Sequence, residues 1–391
     1  MINNKPTYIS LFSSAGVGCY GFKLEGYDCI ATNELIKRRI DIQRLNQKCI
    51  FETGYINKDI TQDDTKLDIL NEVNKWKKMG NDFVDVIIAT PPCQGMSVAN
   101  RKQNPTNFTK NSLVVESIQL IKSIEPNFFV FENVPAFMKT LCAAPCGTPE
   151  TISKVIKDEL GYIYTYEDKT LNFKDYGSNS SRRRTLVIGV HKRIQDVSPQ
   201  DLFPDIQKEK TLKETIGHLP SLSWGEFDKN DFYHQFRTYK KEMFDWIHNT
   251  PMGKSAFDNP NPMHRPHQII NGEYVLNTNK LSSKYTRQHW NNVGPCIHTR
   301  NDQMASQNTI HPQDDRVFSI RELMILMTIP NSFKWIDMDI DELNKLSYEE
   351  KIKILKKHEI NIRQSIGEAV PTIILQQIAH KIKNNLIEER K

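Results

Sequence analysis

The sequence predicts an α/β fold: a doubly wound, mostly parallel sheet joined to a second, smaller and loop-rich domain. Two observations carry this. The first half alternates short, wholly apolar runs with amphipathic stretches. Strands buried on both faces of a parallel sheet read as continuous apolar runs rather than as alternation. After Val190 the texture changes, and residues 196–300 are rich in Pro, Asn, His and aromatic residues with few periodic runs. A length of 391 residues accommodates two or three domains at about 150 residues each.

The elements follow in order. "TYISLF" is an apolar strand, followed by a Ser/Gly-rich turn and a helix-like stretch to Glu25. "YDCIATNE" reads as a second strand. "LIKRRIDIQRLNQ" has helical spacing with a solvated basic face. In "DDTKLDILNEVNKWKKM", Leu67, Leu70, Val73 and Trp76 recur three apart, which predicts an amphipathic helix. "DVIIAT" is an apolar strand ending at Pro91. "SLVVESIQLIKSIEP" is a helix, "NFFVFENV" a strand, "TISKVIKDELGY" a helix and "RRRTLVIGV" a final strand. Order returns at "SIRELMILMTIP", a helix ending at Pro330. "DELNKLSYEEKIKILKKHE" reads as a solvated, charged helical insertion. "SIGEAVPTIILQQIAHKI" turns at Gly367 and Pro371 and then runs as a helix. The predicted domains are 1–195 plus 355–391, then 196–335, with 336–354 as a charged linker.

Composition narrows the function classes. Hydrophobic residues make up 38% and charged residues 25%, as in ordinary globular proteins. No apolar run approaches the ~20 residues that span a bilayer, and the N-terminus carries no signal-peptide pattern. A cytoplasmic location without membrane association is expected. Seven cysteines dispersed over this length predict free thiols rather than a disulfide framework. The net charge of +5 permits a polyanionic partner. Between Lys229 and Arg300 there are ten Lys/Arg against five Asp/Glu, and six of the eleven histidines.

Several residues are candidates for chemistry. Small residues in "LFSSAGVGCYGF" allow a ligand to approach backbone, although a merely structural tight turn reads equally well. Glu34 ends the second strand about twenty residues on, where doubly wound folds hold ribose hydroxyls. Asp59 in "NKDIT" reads equally as a ligand residue or as a turn or N-cap aspartate. Cys93 follows Pro91 and Pro92 at the carboxyl end of a strand. Two prolines fix two φ angles and stiffen the turn, which a thiol used only for packing does not require. Glu132 is flanked by Phe131 and Val134, bulk that disfavours the charged carboxylate and suits a proton donor; an ordinary strand-end carboxylate is the plainer reading. Strand alternation sets Arg182 and Arg184 on one face and Arg183 on the other.

Taken together and in order, these motifs resemble the DNA (cytosine-5)-methyltransferase family. "LFSSAGVGCYGF" resembles its first motif, "PPCQG" its nucleophile loop and "FENV" its Glu-Asn-Val motif. "SSRRR" resembles its arginine motif, "RVFSIRELMILMTIP" the motif after its recognition region and "QSIGEAVP" its last. There are departures. Ser14 stands where the family usually has the first glycine of its first motif, and Val17 replaces a later one. Ser180 stands where a glutamine is usual, and Glu368 replaces the usual asparagine of the last motif.

The resemblance implies a Rossmann-like catalytic domain that uses S-adenosylmethionine and releases S-adenosylhomocysteine, with no metal. It implies that Phe12, Ser13, Ala15, Gly16, Val17 and Gly18 hold the methionine part, Glu34 the ribose, and Asp59 and Ile60 the adenine. Pro91, Glu368, Ala369 and Val370 would complete that pocket. Cys93 would be the nucleophile, Glu132 the proton donor and Arg184 the holder of the base carbonyl, supported by Arg182. Gln94, Ser97, Arg101 and Asn133 would meet the flipped base or its DNA, with Gln94 to Arg101 expected to close over it. Residues 196–300 would recognise double-stranded DNA, with Arg237, Lys240, Lys241, Arg265, Lys284, Arg287 and Arg300 as candidates for phosphate. A monomer acting at the nucleoid is expected, with a restriction endonuclease as companion. A tRNA-acting member of the family and a catalytically inactive DNA-binding regulator are the alternatives.

Overall fold

A computed structural model of the chain describes residues 5–92, 112–277, 284–305 and 309–389. It divides into two compact units. The first comprises Met1–Tyr176, Arg183–Gln207 and Val370–Lys391, the second Gly177–Arg182 and Lys208–Ala369.

The first unit is built on β1 (Thr7–Leu11), α1 (Tyr20–Leu24), β2 (Asp28–Asn33), α2 (Lys37–Leu45), β3 (Tyr55–Ile56), α3 (Asp63–Lys78), β4 (Val86–Ala89), α4 (Ser112–Ile124) and β5 (Phe128–Asn133). A small hairpin, β6 (Leu141–Ala143) and β7 (Pro149–Thr151), leads into α5 (Ile152–Leu160), β8 (Tyr164–Asn172) and β9 (Arg183–His191). A C-terminal helix, Thr372–Glu389, returns to this unit. The seven-stranded sheet has the order β3-β2-β1-β4-β5-β9-β8. The first five of these strands are mutually parallel, whereas β9 runs antiparallel to β5 and to β8.

Strand alternation explains the continuous apolar runs. Ile9, Leu11, Ile87, Ala89, Phe129 and Phe131 point to one core with Ile69, Val73 and Trp76 of α3. Tyr8, Val86, Ile88, Phe128 and Val130 point to a second core with Phe22 and with Ile374, Ile378 and Ile382 of the C-terminal helix. Each such fully buried side chain stabilises the fold by roughly 1.5–3 kcal/mol. Leu67, placed in the predicted stripe of α3, is exposed, and Leu70 is only half-buried. The buried stripe is Thr65, Ile69, Val73 and Trp76, whose spacings of four, four and three follow one helix face. Strand β8 was not read from sequence; its even burial alternation is weak because much of it is exposed.

The second unit contains α6 (Leu212–Ile216), α7 (Lys241–His248), β10 (His267–Ile270), β11 (Glu273–Leu276), α8 (Ile320–Leu326), α9 (Ile340–Lys345) and α10 (Tyr348–Glu368). One core gathers Phe236, Trp246, Ile247, Phe257, Tyr285, Met304, Ile310 and Val317. Beneath it lies a buried ionic cluster. Arg316 makes a fork to Glu322 at 2.7 and 2.8 Å and reaches Asp314 at 2.7 Å. Glu322 also closes the capping box of α8 with Ser319. Planar bidentate pairing of this kind is what keeps a buried guanidinium tolerable.

The boundaries differ from those read from sequence. The charged stretch 341–359 is not a separate insertion, because α10 continues unbroken from Tyr348 to Glu368. Leu355, Glu359, Ile362 and Arg363 are buried, and Arg363 bonds to Glu359 and to the carbonyl of Phe318 at 2.9 Å. Residues 355–369 therefore group with the second unit. Gly367 lies in the last turn of this helix rather than ending it. A side chain there would overlap the backbone of His298 and come within 2.5 Å of the Thr299 nitrogen. Among the described residues, no helix is long and apolar enough to cross a membrane.

Candidate active site

Strand order reverses between β1 and β4, which are direct neighbours paired from Tyr8↔Val86 to Leu11↔Ala89. Ligands in open α/β sheets bind outside the carboxyl ends of strands at such a switch point. The turns after β1 and β4 are tied there. Thr90 donates its N–H to the Leu11 carbonyl at 3.2 Å and its hydroxyl to the Phe12 carbonyl at 2.9 Å.

The turn after β1 has an unusual backbone. Phe12 and Ser14 adopt φ of 58° and 47°, and Gly16 a φ of 81°, a region that L-residues enter at a cost. Glu34, buried at the end of β2, accepts the Ser14 N–H at 2.8 Å and the Ile36 N–H at 3.0 Å. Arg39 on α2 pairs with it at 3.2 Å. The helix face read as solvated therefore has a residue turned inward. The i, i+4 spacing of Arg39 and Gln43 was the available signal. Gly18 packs against the start of the C-terminal helix, where an added Cβ would lie 3.0 Å from that of Val370. Ala15 and Val17 are buried in the turn, and so is Ile60. The Asp59 carboxylate is exposed and accepts the N–H and hydroxyl of Thr61 at 3.0 and 2.9 Å, so it does at least serve a turn.

Glu132 ends β5 and is buried. Because β9 runs antiparallel, its beginning lies beside the end of β5, with Asn133 opposite Thr185. That register brings the Arg184 Nε to 3.3 Å from Glu132 Oε1. The oxygen is buried and, among the described residues, receives no aligned hydrogen bond. Buried polar atoms are ordinarily satisfied, and the partner it has among the described residues is the Arg184 guanidinium, in an ion pair.

Two expected partners are otherwise engaged. Asn133, expected to meet substrate, donates Nδ2 to the Pro91 carbonyl at 2.8 Å and accepts the Val134 N–H at 2.9 Å. It ties two strand ends together. Arg182 precedes β9 and belongs to the second unit, where it donates to the carbonyls of Ile297, Gly367 and Glu368 at 3.2–3.4 Å. Strand alternation with Arg184 thus does not govern it. Glu368 and Ala369 lie at the end of the second unit and Val370 begins the last segment of the first. Cys93, Gln94, Ser97 and Arg101 lie outside the described residues.

The pattern C-5 cytosine-specific DNA methylase matches residues 7–384. The chain belongs to this family. The methylase is 33% identical over 390 residues to the type II methyltransferase M1.HgaI of Avibacterium volantium, covering 96% of this chain and 98% of that one. It is 25% identical over 377 residues to M1.HphI of Haemophilus parahaemolyticus, covering 96% and 86%. A candidate DNA modification methyltransferase encoded in an E. coli prophage shares the fold, with a TM-score of 0.65 at 19% identity over 98% of this chain and 100% of that one. The methylase is a DNA cytosine-5 methyltransferase, and its reaction requires a methyl donor and DNA.

The departures acquire physical content. Ser14 takes a glycine-like φ and is held by Glu34. Ser180 is fully buried; its hydroxyl contacts Ser178 and the Met327 sulfur, and its backbone bridges to Gly294. Of the basic residues proposed for phosphate, Lys240, Lys241 and Arg300 are exposed. Arg237 pairs with Asp302 at 3.1 Å, and Arg265 donates to the Asn259 carbonyl at 2.6 Å. Arg287 is a correction. It is buried and donates to the carbonyls of Ile247, Thr250, His311, Gln313 and Asp314, with Asp315 as its ion-pair partner. It organises the second unit from inside and has no donor left for a phosphate.

Proposed function

We propose that the methylase transfers a methyl group from S-adenosylmethionine to carbon 5 of a flipped-out cytosine through a covalent bond to Cys93. The observation that carries this reading is the Glu132–Arg184 pair, a buried carboxylate and a guanidinium held together at a strand end beside the proline turn. Cytosine carbon 5 is a poor nucleophile. Addition of the Cys93 thiolate to carbon 6 makes it an enamine carbon, while Glu132 gives a proton to ring nitrogen 3. Arg184 hydrogen-bonds the base carbonyl. Once carbon 5 carries the methyl group, solvent water takes its proton, ring nitrogen 3 returns its own to Glu132, and the bond from carbon 6 to sulfur breaks to release the Cys93 thiolate.

The turn from Phe12 to Gly18, Glu34 and the neighbourhood of Asp59 and Ile60 fit a nucleoside-bearing donor. Glu34 ends its strand beside the turn, as a ribose-binding carboxylate does. When bound, S-adenosylmethionine supplies an electrophilic methyl group on a sulfonium. The base must leave the duplex stack to reach the site, at a cost of a few kcal/mol. The resemblance to type II methyltransferases supports a role in modification alongside a restriction endonuclease.

The test has two parts. Cys93→Ser is expected to abolish methyl transfer while retaining DNA affinity; normal turnover would sink the covalent route. Bisulfite mapping of host DNA is expected to reveal methylated cytosines in one sequence context. Unmodified DNA with modified tRNA would move the substrate to RNA.

A further inference from the structure

Behind the turn that follows β1 lies a buried polar chain that the reaction chemistry does not use. Gln43 of α2 is fully buried, as is Thr32, while Ser13 and Lys48 are nearly so. Gln43 Nε2 donates to the Ser14 carbonyl at 2.6 Å, and Gln43 Oε1 accepts the Thr32 hydroxyl at 2.8 Å. Reversing the amide would set two acceptors against each other at Ser14, so the orientation is fixed. Lys48 can only donate, and its ammonium lies 2.9 Å from Thr32 Oγ1. Thr32 has one hydroxyl proton, already given to Gln43. It therefore accepts from Lys48; the Ser13 hydroxyl, 2.8 Å away, also faces the Ser10 carbonyl at 3.1 Å. The chain has one direction and ends on the Ser14 carbonyl.

Ser14 is thus gripped on both sides. Its N–H goes to Glu34 and its carbonyl receives Gln43. A serine at φ 47° needs such a grip, because its Cβ disfavours the left-handed region that glycine enters freely. Gln43 also packs under the turn: a Cβ on Gly16 would sit 3.2 Å from Gln43 Cγ.

We propose that Gln43 is a positioning residue for the methyl donor, holding Ser14 and the Phe12–Gly18 turn in their binding shape, with Lys48 backing it through Thr32. This rests on the reading of that turn as the S-adenosylmethionine site. Gln43 touches no reacting atom, so its loss falls on donor affinity and not on the chemical step.

The test uses the full chain. Calorimetry with S-adenosylmethionine, without DNA, gives the donor Kd, and steady-state assays give kcat and both KM values. Gln43→Ala is expected to raise the Kd and KM for the donor about tenfold, the loss of one buried hydrogen bond. The kcat should stay within about twofold and the KM for DNA should be unchanged. Gln43→Met keeps size but has no hydrogen for Ser14. It is expected to match Gln43→Ala while retaining the wild-type melting profile more closely. Adding Ser14→Gly to Gln43→Ala should recover part of the affinity. Wild-type donor affinity in Gln43→Met, or a loss falling on kcat or on DNA, overturns the proposal. Failure of the wild-type protein to bind S-adenosylmethionine instead overturns the reading beneath it.

Discussion

Asn133 donates from Nδ2 to the carbonyl oxygen of Pro91 at 2.8 Å, joining the end of β5 to the stiffened turn after β4. The same side chain accepts the Val134 N–H, so it is locked at both ends. In its neighbour Glu132 the arrangement differs, with the buried Oε1 3.3 Å from Arg184 Nε in an ion pair. Adjacent residues of one motif thus differ, Asn133 fixing the turn and Glu132 pairing with Arg184.

Asn133→Asp separates these roles. It keeps the acceptor for Val134 but loses the hydrogen bond to Pro91. Under steady-state conditions kcat is expected to fall about tenfold, with DNA affinity in gel-shift titrations unchanged. Unaltered kcat would show that the Pro91 tie is dispensable.

Gly367→Ala tests the reassigned C-terminal turn. Helix propensity alone favours the alanine by about 1 kcal/mol. Overlap with the His298 backbone should reverse the sign, lowering stability by about 1–3 kcal/mol. Chemical denaturation reads this directly, and a stabilised variant would contradict the packing.

Arg287→Lys tests the corrected role of that residue. A lysine cannot reproduce a fork that reaches five carbonyls and Asp315. The melting temperature is expected to drop by several degrees, in keeping with the cost of weakening a buried cation's partners. The dependence of DNA affinity on salt should keep its slope, because no phosphate contact is lost. A shallower slope would return Arg287 to the DNA surface.

The ionic cluster of the second unit predicts acid sensitivity. Burial pushes His311 down to about 4, and its Nδ1 already accepts the Asp314 N–H at 2.9 Å. The folded protein therefore binds fewer protons than the unfolded chain between about pH 6.5 and 4. Stability is present in full above that window and is lost as pH falls through it. Although burial opposes it, Arg316 holds Glu322 and Asp314 below the usual carboxylate range, which extends the loss below pH 4. Melting temperatures measured from pH 7.5 to 4.5 should decline. His311→Asn keeps an acceptor and takes up no proton, so its decline over this window should be shallower. His191 and His358 are lowered by burial in the same direction, so some slope remains.

Much of the fold was legible because its signals are local. The apolar runs at Tyr8, Val86 and Phe128 are continuous because each strand feeds two cores. The reversal of strand order at β1 and β4 came from the structure. Strand β8 was missed because its edge position leaves alternate residues wet. Leu67 was misplaced because a spacing of three repeats drifts around a helix, whereas burial followed spacings of four and three, from Thr65 through Ile69 and Val73 to Trp76.

The sequence by itself determined the family, the order of its motifs and the identity of its candidate chemical groups, because residue type and spacing are local properties. Tertiary structure decided how those groups are used. Asn133 turns to a backbone carbonyl, Arg287 points inward, and Gln43 reaches the Ser14 carbonyl from another helix. Each outcome depends on which polar atoms folding leaves without water, and partners for such atoms come from distant segments. Hydrogen-bond satisfaction in a buried site is a property of the whole packing, so no stretch of sequence carries it alone.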